Sequence, residues 1–277
     1  MQADCHMHMI LDGYDWKAAI SRHKEKPDVA FIRQVLETYR QMGVTYLRDG
    51  GDRWGAGAAA RALAGEYGIT YRTPLAPLCK KGHYGAFIGL CYENMQDFAR
   101  LVVHQGQKGA DFIKIMISGL MDFDRAGVLT EEGLPAGEIR ELIHIAHEEG
   151  MAVMVHANGA ETVEAAAAAG VDSVEHGAYQ NADSMAAMAE MGTVWVPTLS
   201  TVGNLRCKGR FDERAVQAIL ESALENLSRY KGLVAPGTDA GAWAVPHGSR
   251  TEEDLLAMAG IDGGRLAQGI AAIQNKF

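Results

Sequence analysis

The feature that most restricts this chain is a repeated unit, in which a short β-rich run alternates with a stretch of helical character and the joints carry glycine. Runs at 3–10, 44–49, 69–73, 111–117, 151–156, 172–175, 193–197 and 233–237 read as eight strands. Helices read over 28–42, 54–67, 93–107, 135–149, 160–169, 181–191 and 212–231, with a last helical stretch from Thr251. Strands alternating with helices imply parallel pairing and right-handed crossovers. Eight such units in 277 residues predict a (β/α)8 TIM barrel, a parallel α/β fold that typically takes ~250 residues. A doubly wound open sheet is the competing architecture, but no Gly-x-Gly-x-x-Gly turn follows the first strand to support its dinucleotide-binding form. No low-complexity linker divides the chain, so residues 1–277 are expected to form a single domain.

A net charge of −9 argues against a nucleic-acid surface, which needs clustered Lys and Arg. The one basic cluster, Arg22, His23, Lys24 and Lys26, is interrupted by Glu25 and reads as a solvated loop within 11–26. No apolar run approaches the ~18 residues of a membrane span. Cys5, Cys79, Cys91 and Cys207 are scattered, with no Cys-x-x-Cys and no signal peptide. That pattern fits a reducing cytoplasm better than a disulfide framework.

The first strand holds His6-Met7-His8, and strand alternation places both imidazoles on one face, with Cys5, Met7 and Met9 on the other. Two adjacent imidazoles at a strand end are half of a metal site. The fourth strand reads Asp111-Phe112-Ile113-Lys114-Ile115-Met116-Ile117, which puts Lys114 on the interior face, costly for a lysine unless it is paired or modified. The fifth strand ends at His156, the sixth runs into His176, and Thr238-Asp239 follows the eighth. His6, His8, Lys114, His156, His176 and Asp239 are thus expected to ring one mouth of the barrel. Two long connections, 75–92 and 119–134, leave strand C-termini on that same face, where barrel active sites are built.

Asp4-Cys5-His6-Met7-His8, Lys114 in Ile-Lys-Ile-Met, His156 in Val-His-Ala-Asn-Gly, His176 in Glu-His-Gly and Asp239 in Gly-Thr-Asp-Ala-Gly resemble the amidohydrolase superfamily. The branch they resemble is that of the imidazolonepropionase-like and prolidase-like metal-dependent hydrolases. The resemblance implies two divalent ions, with zinc best suited to these nitrogen and oxygen ligands. One ion would be held by His6, His8 and Asp239 and the other by His156 and His176, with Lys114, carboxylated by CO2, bridging both. It also implies hydrolysis of a C–N amide or peptide-type bond in a small molecule such as an N-acyl amino acid, dipeptide or cyclic amide. A hydroxide shared by the metals would attack, and Asp239 would carry the proton to the leaving nitrogen.

By the same resemblance His83, in Lys-Gly-His-Tyr-Gly, and Tyr179 are candidate substrate contacts; His247, near the mouth, is a third. Arg48 is expected to pair with Asp49, the alternative partner being a substrate carboxylate. His156 is followed by Ala157-Asn158-Gly159, with no nearby Glu to shuttle protons. This disfavours a mononuclear deaminase, while lactone and phosphoester hydrolysis use similar sites, and a non-catalytic metal-binding barrel is the reading of another class. Relatives usually carry a small β-sandwich flanking the barrel. Here Asp4 lies three residues from the start and Phe277 ends the chain, which leads us to expect a bare barrel and a homo-oligomer of at least two copies.

Overall fold

Ile113, Ile115 and Ile117 alternate with Phe112, Lys114 and Met116, and the computed structural model, which describes residues 2–277, sends the two sets to opposite sides. The isoleucines join the large core under the helices, whereas Phe112 joins an inner cluster with Met154, Val194, Val196 and Ala235. Lys114 is buried on that inner face. This two-sided burial is what parallel strands covered by helices require.

In chain order the elements are β1 (Ala3–Met7), α1 (Trp16–His23), α2 (Val29–Gln41), β2 (Tyr46–Asp49), α3 (Ala56–Ala64), β3 (Thr70–Arg72), β4 (Leu78–Lys80), β5 (Leu90–Tyr92) and α4 (Met95–Gln107). Next come β6 (Ile113–Met116), α5 (Ala136–Glu148), β7 (Val153–Ala157), α6 (Ala160–Ala168), β8 (Ser173–His176), α7 (Ala182–Met191) and β9 (Val194–Val196). The chain closes with α8 (Ser200–Gly203), α9 (Glu213–Arg229), α10 (Thr251–Met258) and α11 (Gly263–Lys276). All strand pairs are parallel, in a three-stranded sheet β1-β2-β3 and a six-stranded sheet β5-β4-β6-β7-β8-β9.

The expected single ring of eight strands is therefore not what the ladders show. Two places account for the difference. Pro74, Pro77 and the left-handed Leu75 (φ 62°) break the third strand, so β3 and β4 fall in different sheets, and the expected loop 75–92 contains β4 and β5. Residues 233–237, expected as the eighth strand, form only isolated bridges, Trp195 with Val234 and, further on, Met7 with Ala240. Pro236 has no N–H to give to a ladder. Even so, hydrogen bonds cross both gaps. Asp111 donates its N–H to Thr73 O at 3.0 Å; Trp195 to Leu233 O at 2.9 Å, Cys5 to Pro236 O at 2.8 Å and His8 to Ala240 O at 2.7 Å do the same at the other junction.

Two local expectations also change. Residues 16–23, read as loop, form α1, because the Asp15 side chain accepts from the N–H groups of Lys17 and Ala18 and caps it. In β1 the register slips between Asp4 and Met7, so Cys5 turns into the inner cluster with Ala3, while Met7 and Met9 pack among the helices as expected. Phe277 and Ile273, at the end of α11, fill the inner cluster from below. No helix among the described residues is long and apolar enough to cross a membrane.

One buried carboxyl ties the C-terminal helices to the rest. Glu252, in the first turn of α10, accepts from the N–H groups of Leu199 (3.1 Å) and Ser200 (2.7 Å) and from Ser200 Oγ (2.9 Å). Burial pushes its carboxyl from an ordinary 4.5 up to about 8, against the pull of those donors. The folded chain therefore holds a proton there that the unfolded chain releases near 4.5, and the associated stability is lost as pH rises toward 8. The urea midpoint of the wild type, measured against that of Glu252→Gln, is expected to fall steadily between pH 5 and pH 8; a pH-independent difference would contradict this.

Candidate metal centre and active-site cavity

At the C-terminal ends of the strands, β1 presents His6 and His8, β6 Lys114, β7 His156, β8 His176, and the segment after 233–237 presents Asp239. The ligand-capable atoms of His6, His8 and Asp239 all lie within 4.8 Å of one another. Asp239 Oδ1 is 3.5 Å from His6 Nε2 and 3.4 Å from His8 Nε2. Ring centroids of His6 and His176 are 5.1 Å apart and those of His156 and His176 4.6 Å, so the four imidazoles form one continuous row.

Three of the imidazoles are held through the nitrogen that faces away from the centre. His6 Nδ1 donates to Glu175 Oε2 at 2.6 Å, His156 Nε2 donates to Gly119 O at 3.0 Å, and His176 Nδ1 is bonded to the Thr198 hydroxyl at 2.7 Å. Such bonds fix the tautomer and leave the other nitrogen free. Space is cut to fit as well. A Cβ on Gly50 would lie 2.1 Å from His8 Cε1, so any other residue there would displace the ring. His176 (φ 67°) and Asp239 (φ 55°) sit in the left-handed region, strained for non-glycine residues, as functional positions often are.

His6 Nε2, His8 Nδ1, Lys114 Nζ and Asp239 Oδ1 are buried without a hydrogen-bond partner among the described residues. Buried polar atoms are nearly always paired, so four orphans in one place mark a missing partner. Burial pushes Asp239 up to about 8 and Lys114 down to about 8. It also lowers His8 and His156 to about 3 and takes His6 and His176 well below their usual range, with the Lys114 charge and neighbouring imidazoles adding to the effect. Neutral imidazoles beside a carboxylate are the donor set that a divalent cation takes, and the residues present fit one.

Above this centre opens a cavity of about 850 Å3. Its walls are largely apolar and include the aromatic rings of Trp16, Tyr84, Phe87, Phe123, Phe211 and Trp243. The two long connections contribute as expected: Tyr84, Phe87 and Ile88 come from the first, and residues 120–124 and Thr130 from the second.

The three expected substrate contacts lie outside that lining. His83 pairs with Glu131. His247 Nε2 donates to Leu11 O at 3.0 Å and the ring packs edge-on against Phe31 and Tyr39. Tyr179 packs against the large core, half-buried. Arg48 does not pair with Asp49. It is fully buried, donating to Glu175 Oε1 (2.8 Å), Ser173 Oγ (2.9 Å) and Cys5 O (2.7 Å), while Asp49 accepts from Met9 N and Thr73 Oγ1. Sequence reasoning missed Glu175 and Asp4 as supports. Asp4 binds Thr238 N and Oγ1 at 2.9 and 2.6 Å and so ties β1 to the segment bearing Asp239. The only sequence sign of either is its place beside a histidine of a motif.

A parallel α/β fold with this row of strand-end imidazoles, lysine and aspartate matches one family throughout most of its length. Residues 37–267 fit the profile of the Amidohydrolase family, and the chain belongs to that family. The matched range contains Lys114, His156, His176 and Asp239, and begins after β1. Among individual relatives, the chain is 25% identical over 234 residues to the ochratoxinase of Aspergillus niger, covering 72% of this chain and 47% of that protein. It is 28% identical over 202 residues to an uncharacterised protein of Mycobacterium tuberculosis, covering 72% and 50%. The chain thus spans about half the length of the curated relatives it matches. Among solved structures, a Xaa-Pro dipeptidase with methionine bound in its active site superposes with a TM-score of 0.75 at 20% identity, over 99% of this chain and 75% of that one. The ochratoxinase crystal structure gives 0.74 at 22% identity, over 99% and 69%.

The buried Arg48–Glu175 pair supports a stability prediction. Glu175→Ala leaves a guanidinium buried without its counter-charge and is expected to cost about 3–5 kcal/mol in urea unfolding. The double variant Arg48→Met/Glu175→Leu is expected to recover most of that loss; no recovery would mean that the pair's charge is not what matters.

Proposed function

We propose that this protein is a metal-dependent hydrolase that cleaves a C–N amide or peptide-type bond in a small molecule. The observation that carries the reading is the group of four buried, unpartnered donor atoms on the floor of the 850 Å3 cavity. Membership of the amidohydrolase family and the likeness to an ochratoxinase and a Xaa-Pro dipeptidase support it. We read the two sheets as a single-domain (β/α)8 barrel whose third and eighth strands are irregular, with the site at the C-terminal face.

In this reading His6, His8 and Asp239 hold one divalent cation, zinc by preference, and His156 and His176 hold a second. Lys114 would be the residue between them: its amine, made less basic by burial, would add to CO2 with loss of a proton and supply an anionic carbamate in place of an ammonium. Bound cations of this kind acidify water and polarise a carbonyl. The rest falls to the chain. The aromatic walls hold the substrate's apolar part and exclude bulk water. The Asp239 carboxylate, beside both His6 and His8, takes the proton of the attacking water and returns it to the departing nitrogen. Glu175 keeps His6 Nε2 aimed inward. We place the protein in a reducing cytoplasm, as a homo-oligomer acting on a small molecule.

Elemental analysis of protein purified without chelators, in bicarbonate, is expected to find two zinc-like ions per chain. A panel of N-acyl amino acids, dipeptides, cyclic amides and lactones is expected to give turnover of amides, with lower KM for those bearing large aromatic groups. Loss of all metal even after reconstitution, or turnover of lactones alone, would overturn the reading. Asp239→Asn is expected to retain most of its metal and to lose about 10²–10⁴-fold in kcat; turnover near that of the wild type would remove Asp239 from the proton path.

A further inference from the structure

The connection between β4 and β5 reaches the cavity through a residue that sequence reasoning passed over. His83 was the expected contact there, yet it is the next residue, Tyr84, that lines the cavity. Its ring lies 4.8 Å from that of His156, centroid to centroid. Its backbone is pinned: Tyr84 N–H donates to Glu131 Oε2 at 2.8 Å, and the same carboxylate pairs with His83. Gly85 follows at φ 112°, a conformation for glycine, and a Cβ there would lie 2.6 Å from Met116 Cγ. His83 and Glu131 therefore act as a clamp that turns Tyr84 inward.

The Tyr84 hydroxyl has no hydrogen-bond partner among the described residues. The other lining hydroxyls do not compete for a substrate. Thr130 Oγ1 is bonded to Leu120 O and Thr201 Oγ1 to Thr198 O, while Tyr14 stands at the rim, 72% exposed. The Asn158 amide is also engaged, donating to Gly119 O and accepting from Ala178 N. This leaves the hydroxyl of Tyr84, a half-buried residue of the cavity wall, unengaged beside the row of imidazoles.

We propose that Tyr84 is a catalytic residue, its phenol O–H donating a hydrogen bond to the carbonyl oxygen of the scissile amide as that oxygen gains negative charge. The inference rests on the hydrolase reading above. The phenol keeps its proton throughout. Water adds to the carbonyl carbon, the C–N bond breaks, and the two proton transfers run through Asp239, so Tyr84 lowers the barrier by electrostatic stabilisation alone. His83, the adjacent residue, is a positioning residue that acts through Glu131.

The test compares wild type, Tyr84→Phe and His83→Gln on the best amide of the panel and on its methylphosphonamidate analogue, whose tetrahedral centre mimics the charged oxygen. Tyr84→Phe is expected to lose about 10²-fold in kcat, with KM within about threefold, as loss of one such donor does. Its affinity for the phosphonamidate should fall by a similar factor, its affinity for the planar acid product should hold, and its metal content and thermal midpoint should match the wild type. Wild-type kcat and analogue affinity in Tyr84→Phe would overturn the role of Tyr84 and leave the hydrolase reading standing. A 10²-fold loss confined to His83→Gln would assign the contact to His83 instead. A wild type that neither turns over any amide nor binds the phosphonamidate would sink the hydrolase reading, and Tyr84's role with it.

Discussion

Beneath the site lies a guanidinium with no access to water, and the arrangement above depends on how it is neutralised. Arg48 comes from β2, its carboxylate partner Glu175 from β8, and its carbonyl partner Cys5 from β1. A bare charge at that depth would be prohibitive, whereas a paired guanidinium with each of its three nitrogens hydrogen-bonded is tolerable. Glu175 then has a second oxygen left, and His6 Nδ1 takes it at 2.6 Å. The orientation of the imidazole at the centre of the site is thus set from below by an ion pair. Phe277 closes the underside, its ring 4.4 Å from the guanidinium, so the last residue of the chain seals the inner face.

The upper half of the site follows a different logic. Below, the guanidinium nitrogens of Arg48 and both oxygens of Glu175 are engaged; above, His6 Nε2, His8 Nδ1, Lys114 Nζ and Asp239 Oδ1 are left unmatched, and His176 and Asp239 bear backbone strain. Structure that only had to be stable would pair or remove such groups. A chain keeps them where a ligand completes them, and the mostly apolar packing of the helices supplies the stability that this part of the molecule lacks.

How much of this could be read from the residues depends on how local each determinant is. Alternation within one strand is local, and it put Lys114 on the inner face, where the structure buries it. Elsewhere a slip of one residue decided the outcome. The irregularity in β1 turns Cys5 inward, and the bend at Gly85 presents Tyr84 where His83 was expected; neither shift has a sequence signature, because each is settled by what lies across from it. Arg48 is the extreme case. Its neighbour Asp49 looked like the natural partner, but the carboxylate it finds is 127 residues away. The eighth strand was legible as a β-rich run, and only the pairing with β1 and β9 shows that Pro236 keeps it from a regular ladder.

The bonds between Asp4 and Thr238 span 234 residues, and they lie beside the contact of Asp239 N–H with His6 O at 2.7 Å. During synthesis the strand bearing both N-terminal histidines is finished long before the segment that must flank it has left the ribosome. Until then one edge of β1 has nothing to pair with, and its buried Asp4 has no hydroxyl or amide from Thr238 to bind. Closing contacts of such sequence separation is slow, because the entropy of a long loop must be given up before any bond rewards it. The face that carries the strand-end histidines is therefore among the last parts of the molecule to form, and its folding is a matter of waiting as much as of stability.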